Sequence, residues 1–215
     1  RNQMLFWKNL DSPYNRPFYL YDTMKSTWTE IQEPENVSKI QGRSNPAFLW
    51  TGSAENKAYE QKLIVWGGNE HFEGLTNKGF VFDPSTGKAF DLPVPTSVAG
   101  RKGHSMVWTG RYLIIWGGIT QNELYPDKEK AVSDGVIFDS VSSTWASIPA
   151  STEAPYASAG HKAFWTGSEM LVISGCPNGN QLVGKNCFAA FENVSSYSLS
   201  KRRWKRLFST NAYHA

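Results

Sequence analysis

The feature that most constrains this sequence is a Trp-Thr-Gly motif that returns at a nearly constant interval. It occupies residues 50–52, 108–110 and 165–167, so the intervals are 58 and 57 residues. Each copy leads into an apolar run that ends in small residues: LIVWGG at 63–68, LIIWGG at 113–118 and LVISGC at 171–176. Residues 4–9 (MLFWKN) form a degenerate fourth copy. A repeat of this length predicts a series of similar units that bury their apolar faces against one another.

A second pattern follows within each unit. An aromatic residue and a polar residue precede a tryptophan that stands six positions after the polar one, except that Ala89 replaces the tryptophan in one unit. An apolar residue follows three positions after the tryptophan site. The polar residues are Asp22, Asp83, Asp139 and Ser198, the tryptophans are Trp28, Trp145 and Trp204, and the apolar residues are Ile31, Leu92, Ile148 and Leu207.

One unit reads as four short strands. In the clearest copy these are residues 105–109, 112–116, 136–139 and 144–148, with a tight hairpin at Gly110 and a stop at Pro149. The second strand ends at two glycines, where we expect positive φ. Aromatic residues make up 14% of the chain, which favours strands. No segment keeps the apolar spacing of a helix, so the sequence predicts an all-β fold, a β-propeller of four-stranded antiparallel blades.

The paired glycines, the following aromatic residue and the spaced tryptophan together resemble the Kelch repeat, in the style of exported bacterial Kelch proteins. The resemblance covers nearly the whole chain. It implies one propeller domain over residues 1–215 with about four blades, at approximately 1–34, 43–95, 101–150 and 160–208. The first blade holds only strands two to four, and Lys8 and Asn9 stand where the glycines are expected.

The last residues leave two interpretations of equal weight. Either residues 209–215 supply strand one of the first blade and close a four-bladed ring, or the chain is a piece of a larger propeller. Closure would remove the exposed sheet edges. His104 and His161 each precede their tryptophan by four residues, and His214 lies in the matching place. The truncated strand after His214 counts against closure, and Kelch propellers usually have more than four blades.

The charge of the chain argues against a nucleic-acid partner. Lys and Arg number 22 and Asp and Glu number 19, a formal net charge of +3, and the basic residues are mostly dispersed. One basic cluster surrounds Trp204. A nucleic-acid patch and an outer strand protected by charge would both explain it, and we expect the second. The cluster consists of Lys201, Arg202, Arg203, Lys205 and Arg206.

The two cysteines bear on the compartment. They lie eleven residues apart with a flexible loop between them, and we expect Cys176 and Cys187 to form a disulfide, with two unrelated thiols as the alternative. Two thiols without nearby histidines are too few for a metal site. A disulfide is typical of an oxidising compartment. With the resemblance, this predicts a periplasmic or secreted protein, and a cytoplasmic one is the alternative. No apolar run approaches the ~18 residues of a membrane-spanning helix.

Several polar residues recur at equivalent positions, which favours a structural role over a catalytic one. Histidines and arginines recur just before strand one, and we expect them to stabilise the repeat. Carboxylates recur at the end of strand three, and we expect them to cap turns. Residues 36–38 and 193–195 match the glycosylation sequon. The recurring residues are His104, His161, Arg43, Arg101, Asp22, Asp83 and Asp139.

The segments between strands two and three are the candidates for recognition. They span 69–78, 119–133 and 177–186, and their equivalence in the units predicts that they cluster on one face. Loops on a rigid scaffold commonly carry binding. The candidate contact residues are His71, Phe72, Glu73, Tyr125, Lys128, Asn178, Asn180 and Lys185.

The leading hypothesis for function is a non-catalytic interaction or scaffold module whose partner is another protein. The sequence contains no P-loop, no HExxH motif, no CxxC pair and no nucleophile elbow. We therefore expect no cofactor and no metal. A carbohydrate-binding or sugar-modifying protein with a site at the mouth of the central channel is the first alternative. A structural segment of a larger extracellular assembly is the second.

Overall fold

Four antiparallel sheets follow one another along the chain, and short ribbons accompany three of them. The structure, a computed structural model, describes residues 3–7, 18–31, 43–70, 73–121, 128–173, 176–177 and 193–209. Strands make up nearly all of its regular elements, and the described ranges contain one short 3-10 helix, Lys57–Tyr59. The all-β fold predicted from the repeat is therefore confirmed.

The main sheets of the first two units differ by one strand. The first unit contains β1 (Gln3–Trp7), β2 (Phe18–Asp22) and β3 (Thr27–Ile31), paired in the order β1-β2-β3 as the first sheet. The second unit contains β4 (Arg43–Ser44), β5 (Ala47–Trp50), β6 (Leu63–Trp66), β7 (Asn69–Glu70), β8 (Gly74–Leu75), β9 (Gly79–Asp83) and β10 (Lys88–Asp91). Of these, β5-β6-β9-β10 form the second sheet, and β4-β7-β8 form a ribbon beside it.

The third and fourth units repeat the four-stranded order. The third unit contains β11 (Ser105–Trp108), β12 (Tyr112–Trp116), β13 (Ile119–Gln121), β14 (Glu129–Ala131), β15 (Gly135–Asp139) and β16 (Thr144–Ser147). The fourth contains β17 (Ser158–Ala159), β18 (Lys162–Trp165), β19 (Glu169–Ile173), β20 (Cys176–Pro177), β21 (Asn193–Ser198) and β22 (Arg203–Ser209). The third sheet is β11-β12-β15-β16 and the fourth is β18-β19-β21-β22, while β13-β14 and β17-β20 pair as ribbons. Tandem sheets of this order are the blades of a propeller.

The sheets pack face to face with their first strands side by side. β5 lies next to β11, and β11 lies next to β18. One apolar cluster joins the second and third sheets, and another joins the third and fourth. The second strands β6 and β12 are almost entirely buried because a neighbouring sheet covers each of their faces. This explains why their sequences, LIVW and LIIW, are continuous apolar runs rather than alternating patterns.

Two tryptophans anchor the third sheet to the unit before it. Nε1 of Trp145 in β16 donates a hydrogen bond to the carbonyl of Pro93 at 2.7 Å. Nε1 of Trp108 in β11 donates to the carbonyl of Ser53 at 3.0 Å. Each ring therefore buries apolar surface and also satisfies its single polar group, which is the usual condition for a packed tryptophan.

The strand pairing of the fourth sheet shows that the predicted alignment was wrong by one residue. Trp108 pairs with Leu113 in the third sheet, and Trp165 pairs with Met170 in the fourth. The run equivalent to LIIWGG is therefore MLVISG rather than LVISGC. Aligning the two runs by their first leucines places Leu171 against Leu113, whereas counting five residues from the tryptophan of strand one places Met170 there. Because side chains of a strand alternate between faces, a shift of one residue exchanges the two faces.

The first glycine after strand two makes room for the next sheet. Gly117 has a φ of +63°, and a Cβ on it would lie 2.7 Å from Cε1 of His161 in the fourth unit. Gly67 has a φ of +68°, and its Cβ would lie 2.6 Å from Cε1 of His104 in the third unit. Each glycine is therefore required both by the left-handed backbone and by the close approach of a histidine ring.

Candidate binding face

Alternating strand direction brings two sets of connections to the same end of the sheets. The segment between strands two and three and the segment after strand four both lie there. Side chains join the two sets: Asn77 Nδ2 donates to the carbonyls of Pro95 and Val98, each at 3.0 Å. The hydroxyl of Thr120 donates to the carbonyl of Gly100 at 2.9 Å. We call this end the loop face and the opposite end the hairpin face.

Short ribbons make up much of the described loop face. In each of the last three units, residues just before strand one pair with residues just after strand two. The pairs are β4 with β7, Lys102 with Ile119, and β17 with β20. Loops were predicted here, and the structure instead shows strands of two or three residues. Pairing satisfies the backbone polar groups of these segments. It also orders them in advance, so that less conformational entropy would be lost if this surface bound a partner.

Two buried arginines hold the base of the loop face. The Arg43 side chain is fully buried, and its guanidinium donates to the Glu70 carboxylate at 2.7 Å and to backbone carbonyls. Arg101 is the equivalent residue of the third unit and donates to the Asp134 carboxylate at 2.7 Å and to the Gly117 carbonyl at 3.1 Å. A buried charge needs such partners. Both arginines stabilise the repeat, in line with their recurrence in the sequence, and neither is accessible to a ligand.

Exposed ion pairs cover the ribbons above these arginines. Nζ of Lys78 lies 3.2 Å from the Glu73 carboxylate and 3.8 Å from that of Glu70. Nζ of Lys102 lies 2.6 Å from the Glu129 carboxylate. Water screens pairs of this kind, so each contributes little to stability. Breaking any one of these ion pairs therefore costs little stability.

The two recurring histidines lie between sheets rather than on the loop face. Burial lowers the pKa of His104 to about 3 and the pKa of His161 to about 4. Nδ1–H of His161 donates to the Ser158 carbonyl at 3.2 Å, and the Ser105 hydroxyl donates to Nε2 at 2.9 Å. His104 packs edge-on against Trp66, with 4.9 Å between the ring centroids. Both rings are enclosed and uncharged, which fits the structural role expected from their recurrence.

Carboxylates on the hairpin face cap the turns between strands three and four. In each of three units Oδ1 accepts the backbone N–H two residues further on, at 2.9 Å for Asp22, 2.9 Å for Asp83 and 3.0 Å for Asp139. Arg111 also donates to both oxygens of Asp139, at 3.0 and 2.8 Å. This contact lowers the pKa of Asp139 to about 2. The carboxylates have the turn-capping role that their recurrence predicted.

The basic cluster of β22 is divided between packing and solvent. The backbone N–H of Arg206 donates to the Glu153 carboxylate at 3.1 Å, and its guanidinium carbon lies 5.4 Å from the centroid of the Tyr156 ring. Arg206 therefore helps to join the fourth sheet to the third unit. The exposed members of the cluster are Lys201, Arg202, Arg203 and Lys205.

Two of the predicted contact residues fall in the described part of the chain. Glu73, just before β8, and Lys128, just before β14, are both exposed. The remaining candidates lie outside the described residues, so their positions on the loop face stay predictions. The same holds for the proposed disulfide, because Cys187 and the side chain of Cys176 are not among the described groups. The candidates outside the described residues are His71, Phe72, Tyr125, Asn178, Asn180 and Lys185.

Sequence reasoning missed the connections that follow strand four. Residues 93–100 lie beside the first ribbon, and the Asn77 side chain bonds to two of their carbonyls. A signal for this was present: four antiparallel strands return the chain to the end of the sheet at which it started. Every connection between units must therefore share the loop face with the segments between strands two and three.

Neither a metal centre nor a membrane-spanning helix is found in the described ranges. Within them, no group of three or more His, Cys, Asp or Glu side chains is placed to hold a metal ion. No helix there has the length and apolar character needed to cross a membrane. The sequon at 193–195 ends at Ser195, whose side chain is buried.

Comparisons with known proteins agree with this architecture. A family model, the KLHDC2/KLHL20/DRC7 Kelch-repeats domain, matches residues 8–214. Kelch domain-containing protein 3 of Homo sapiens is 26% identical over 159 residues, which are 73% of this chain and 40% of that protein. The solved structure of YjhT superposes with a TM-score of 0.62 at 18% identity and covers 91% of this chain and 60% of that chain. This chain therefore spans less than two thirds of the length of either protein.

Proposed function

This chain belongs to the Kelch-repeat family, and we propose that it is a non-catalytic interaction module that binds another protein through its loop face. Kelch domains generally bind proteins, which supports the class of function. The choice of face is our own inference from the geometry. The exported location and the bacterial type suggested by the sequence stay predictions.

The observation that carries the proposal is the joining of two sets of connections into one surface. Asn77 and Thr120 tie the ribbons of the second and third units to the segment that precedes β11. The segment that connects the two units is therefore bonded to the ribbon on each side of it, so more than one loop contributes to the surface. A surface ordered before binding loses less conformational entropy when a partner docks.

The described charges on this face have both signs. Glu73 and Lys78 belong to the ribbon of the second unit, and Lys102, Lys128 and Glu129 belong to the third. We expect a partner with complementary charges of both signs, and we expect binding to weaken as salt is added, because exposed charges are screened.

The test compares a loop-face variant with a matched variant of the hairpin face. The first carries three exposed charged residues changed to alanine: Glu73, Lys78 and Lys128. The second also removes one glutamate and two lysines, here Lys57, Glu60 and Lys88, which lie at the opposite end of the sheets. A partner is isolated from an extract of the source cells on the immobilised wild-type chain and identified. Each variant is then titrated against the purified partner by calorimetry.

We expect the loop-face variant to bind at least about tenfold more weakly, or about 1.4 kcal/mol, and the hairpin-face variant to bind within about twofold of the wild type. Far-UV circular dichroism checks that both variants keep the fold. Equal affinity of all three chains would exclude the described part of the loop face as the binding surface. A loss confined to the hairpin-face variant would reverse the assignment.

A further inference from the structure

Four adjacent basic side chains of the fourth unit lie at the outer edge of its sheet. β22 is the edge strand and, in the described part of the chain, pairs with β21. Arg203 and Lys205 alternate with the buried Trp204, so both point to the same face of this strand. Lys201 and Arg202 belong to the turn that leads into the strand. We call these four exposed residues, Lys201, Arg202, Arg203 and Lys205, the basic edge.

The rest of the fold does not neutralise the charges of the basic edge. No carboxylate among the described residues forms an ion pair with any of its four side chains. Unpaired like charges on neighbouring residues repel one another and attract an oppositely charged partner. Basic residues of the second and third units, in contrast, commonly pair with a carboxylate. Those that do are Arg43, Lys57, Lys62, Lys78, Arg101, Lys102 and Arg111.

Arg202 occupies a turn position that the other units give to small residues. The equivalent residues are Ser26, Gly87 and Ser143, each four positions after the end of strand three. The backbone φ is positive at all four positions and is +49° at Arg202. A residue with a side chain is disfavoured in this conformation. A position that breaks a local rule of folding points to a role outside folding.

The basic edge stays accessible when another unit packs beside its sheet. The second and third sheets each have a following unit, and their outer strands show the outcome at the equivalent positions. At the first of the two strand positions they carry Lys88 and Thr144, which are both exposed. At the second, Phe90 is 39% exposed and Ala146 is half-buried. A following sheet therefore leaves this edge in contact with solvent.

The fold already shows which chemistry the edge of β22 accepts. The backbone N–H of Arg206 points away from β21 and donates to the Glu153 carboxylate at 3.1 Å. The Arg206 guanidinium donates to the carbonyl of Thr152. Backbone groups of an antiparallel strand alternate in direction, so those of Trp204 also point away from β21, between two side chains of the basic edge. Outward groups of this kind can pair with an extended segment.

We propose that the basic edge binds an extended acidic segment of a partner protein. The segment pairs its backbone with the outward groups of Trp204. It places carboxylates at alternate positions, beside Arg203 and Lys205, because side chains two residues apart share a face. A further carboxylate meets Arg202 at the turn. The site is separate from the loop face and does not rest on the function proposed for that face.

The partner is an acidic strand rather than a second copy of the same edge. Two basic edges repel each other, whereas carboxylates on a paired strand lie close to the basic side chains. The carboxylate of Glu153 on an edge N–H of β22 is an example of such a contact within the chain.

Fluorescence anisotropy of the full chain with a labelled peptide tests the proposal. The probe is a short peptide of alternating glutamate and threonine, and the control probe carries glutamine in place of each glutamate. The edge variant is Arg203→Gln/Lys205→Gln. The matched control is Lys57→Gln/Lys88→Gln, which removes the same charge elsewhere on the hairpin face.

We expect the wild type to bind the glutamate peptide at least about tenfold more tightly than the glutamine peptide at about 50 mM salt. The edge variant should lose at least about fivefold in affinity, whereas the control should stay within about twofold of the wild type. The loop-face variant should also bind the peptide as the wild type does, so the two proposals fail independently. Circular dichroism checks the folding of each chain.

Arg202→Gly separates binding from folding. Glycine adopts a positive φ at no steric cost, so the midpoint of urea unfolding should rise. The affinity for the glutamate peptide should fall by about threefold, because one charge of the basic edge is lost. A midpoint that falls would show that the fold itself requires the arginine, which contradicts the argument from its backbone conformation.

Three binding results would overturn the proposal. The first is equal affinity of the wild type for the two peptides. The second is an equal loss in the edge variant and in its matched control, which would assign the attraction to net charge. The third is a single-stranded oligonucleotide that binds more tightly than the glutamate peptide and is lost in the edge variant, which would make the partner a nucleic acid.

Discussion

Replacing Gly117 by alanine tests whether the sheets depend on the contact between this glycine and His161. The new Cβ would lie 2.7 Å from Cε1 and 3.3 Å from Nε2 of the ring. Hydrogen bonds to Ser158 and Ser105 hold the ring, so it cannot move aside without losing them. The φ of +63° adds a second cost, because an L-residue with a side chain rarely adopts it.

The expected loss of unfolding free energy has two parts. Left-handed backbone at a residue with a side chain costs about 1–2 kcal/mol. Forcing a methyl group into a filled interface costs about 1–3 kcal/mol more. Gly52→Ala is the matched control, because Gly52 has a φ of +61° and nothing within 4 Å of a new Cβ. It should lose only the first part.

Urea unfolding followed by tryptophan fluorescence measures both variants. We expect Gly117→Ala to be less stable than Gly52→Ala by about 1–3 kcal/mol. In a double-mutant cycle, His161→Ala opens space for the methyl group. The loss in Gly117→Ala/His161→Ala should therefore be smaller than the sum of the two single losses by about 1–3 kcal/mol. Equal losses for the two glycine variants, or strict additivity in the cycle, would refute the argument.

Three further predictions concern the same interfaces. Between pH about 7.5 and 5 the chain should lose about 2 kcal/mol of unfolding free energy per buried histidine. In the unfolded chain each histidine binds a proton below its ordinary pKa of 6.5. In the folded chain His104 and His161 stay neutral down to their pKa values of about 3 and 4. The histidine contribution to the unfolding free energy is thus present above pH 6.5 and is lost as the pH falls below it. Urea unfolding at several pH values measures this, and an unfolding free energy that does not change in this range would contradict the burial of the two neutral rings. Ile114→Ala should cost about 2–5 kcal/mol in urea unfolding, because Ile114 is fully buried, whereas Val141→Ala should change stability by less than about 0.5 kcal/mol. Trp145→Phe removes the donor to the Pro93 carbonyl. Because this hydrogen bond is exposed, the change should cost about 0.5–1.5 kcal/mol by the same assay, and an unchanged unfolding midpoint would show that water satisfies the carbonyl.

The strands of the third unit could be predicted because each is bounded by a residue with a clear backbone preference. Gly110 ends strand one, Gly117 ends strand two and Pro149 follows strand four. The observed strands differ from the predicted ones by no more than one residue at either end. The ribbon strands β7 and β8 could not be predicted in this way, because two residues carry no periodicity. Their pairing depends on contacts with residues far away in the sequence, such as the ion pair of Arg43 with Glu70.

The candidate site could be located by topology but not described in detail. The position of Glu73 and Lys128 between strands two and three predicts the end of the sheet at which they lie, and both are exposed. The contact of Asn77 with the carbonyls of Pro95 and Val98 had no signal in the sequence, since it joins loops of different length. Hydrogen bonds between irregular segments depend on the exact backbone path, which residue types alone do not determine.

The space around the glycine pair after strand two is limited partly by its own unit and partly by the next unit. A Cβ on Gly118 would meet the Lys102 carbonyl of its own unit at 2.7 Å, whereas a Cβ on Gly117 would meet the histidine of the next unit. The clash of a side chain at the first glycine with a histidine ring therefore arises only where that histidine follows, in addition to the cost of the positive φ. In the degenerate first copy Lys8 stands at the first glycine position. Pro46 stands at the histidine position of the second unit, because Ala47 pairs with Trp66 as Ser105 pairs with Trp116. Both partners are absent at the same junction, which is the result expected if the ring of the next unit helps to exclude a side chain at the first glycine position.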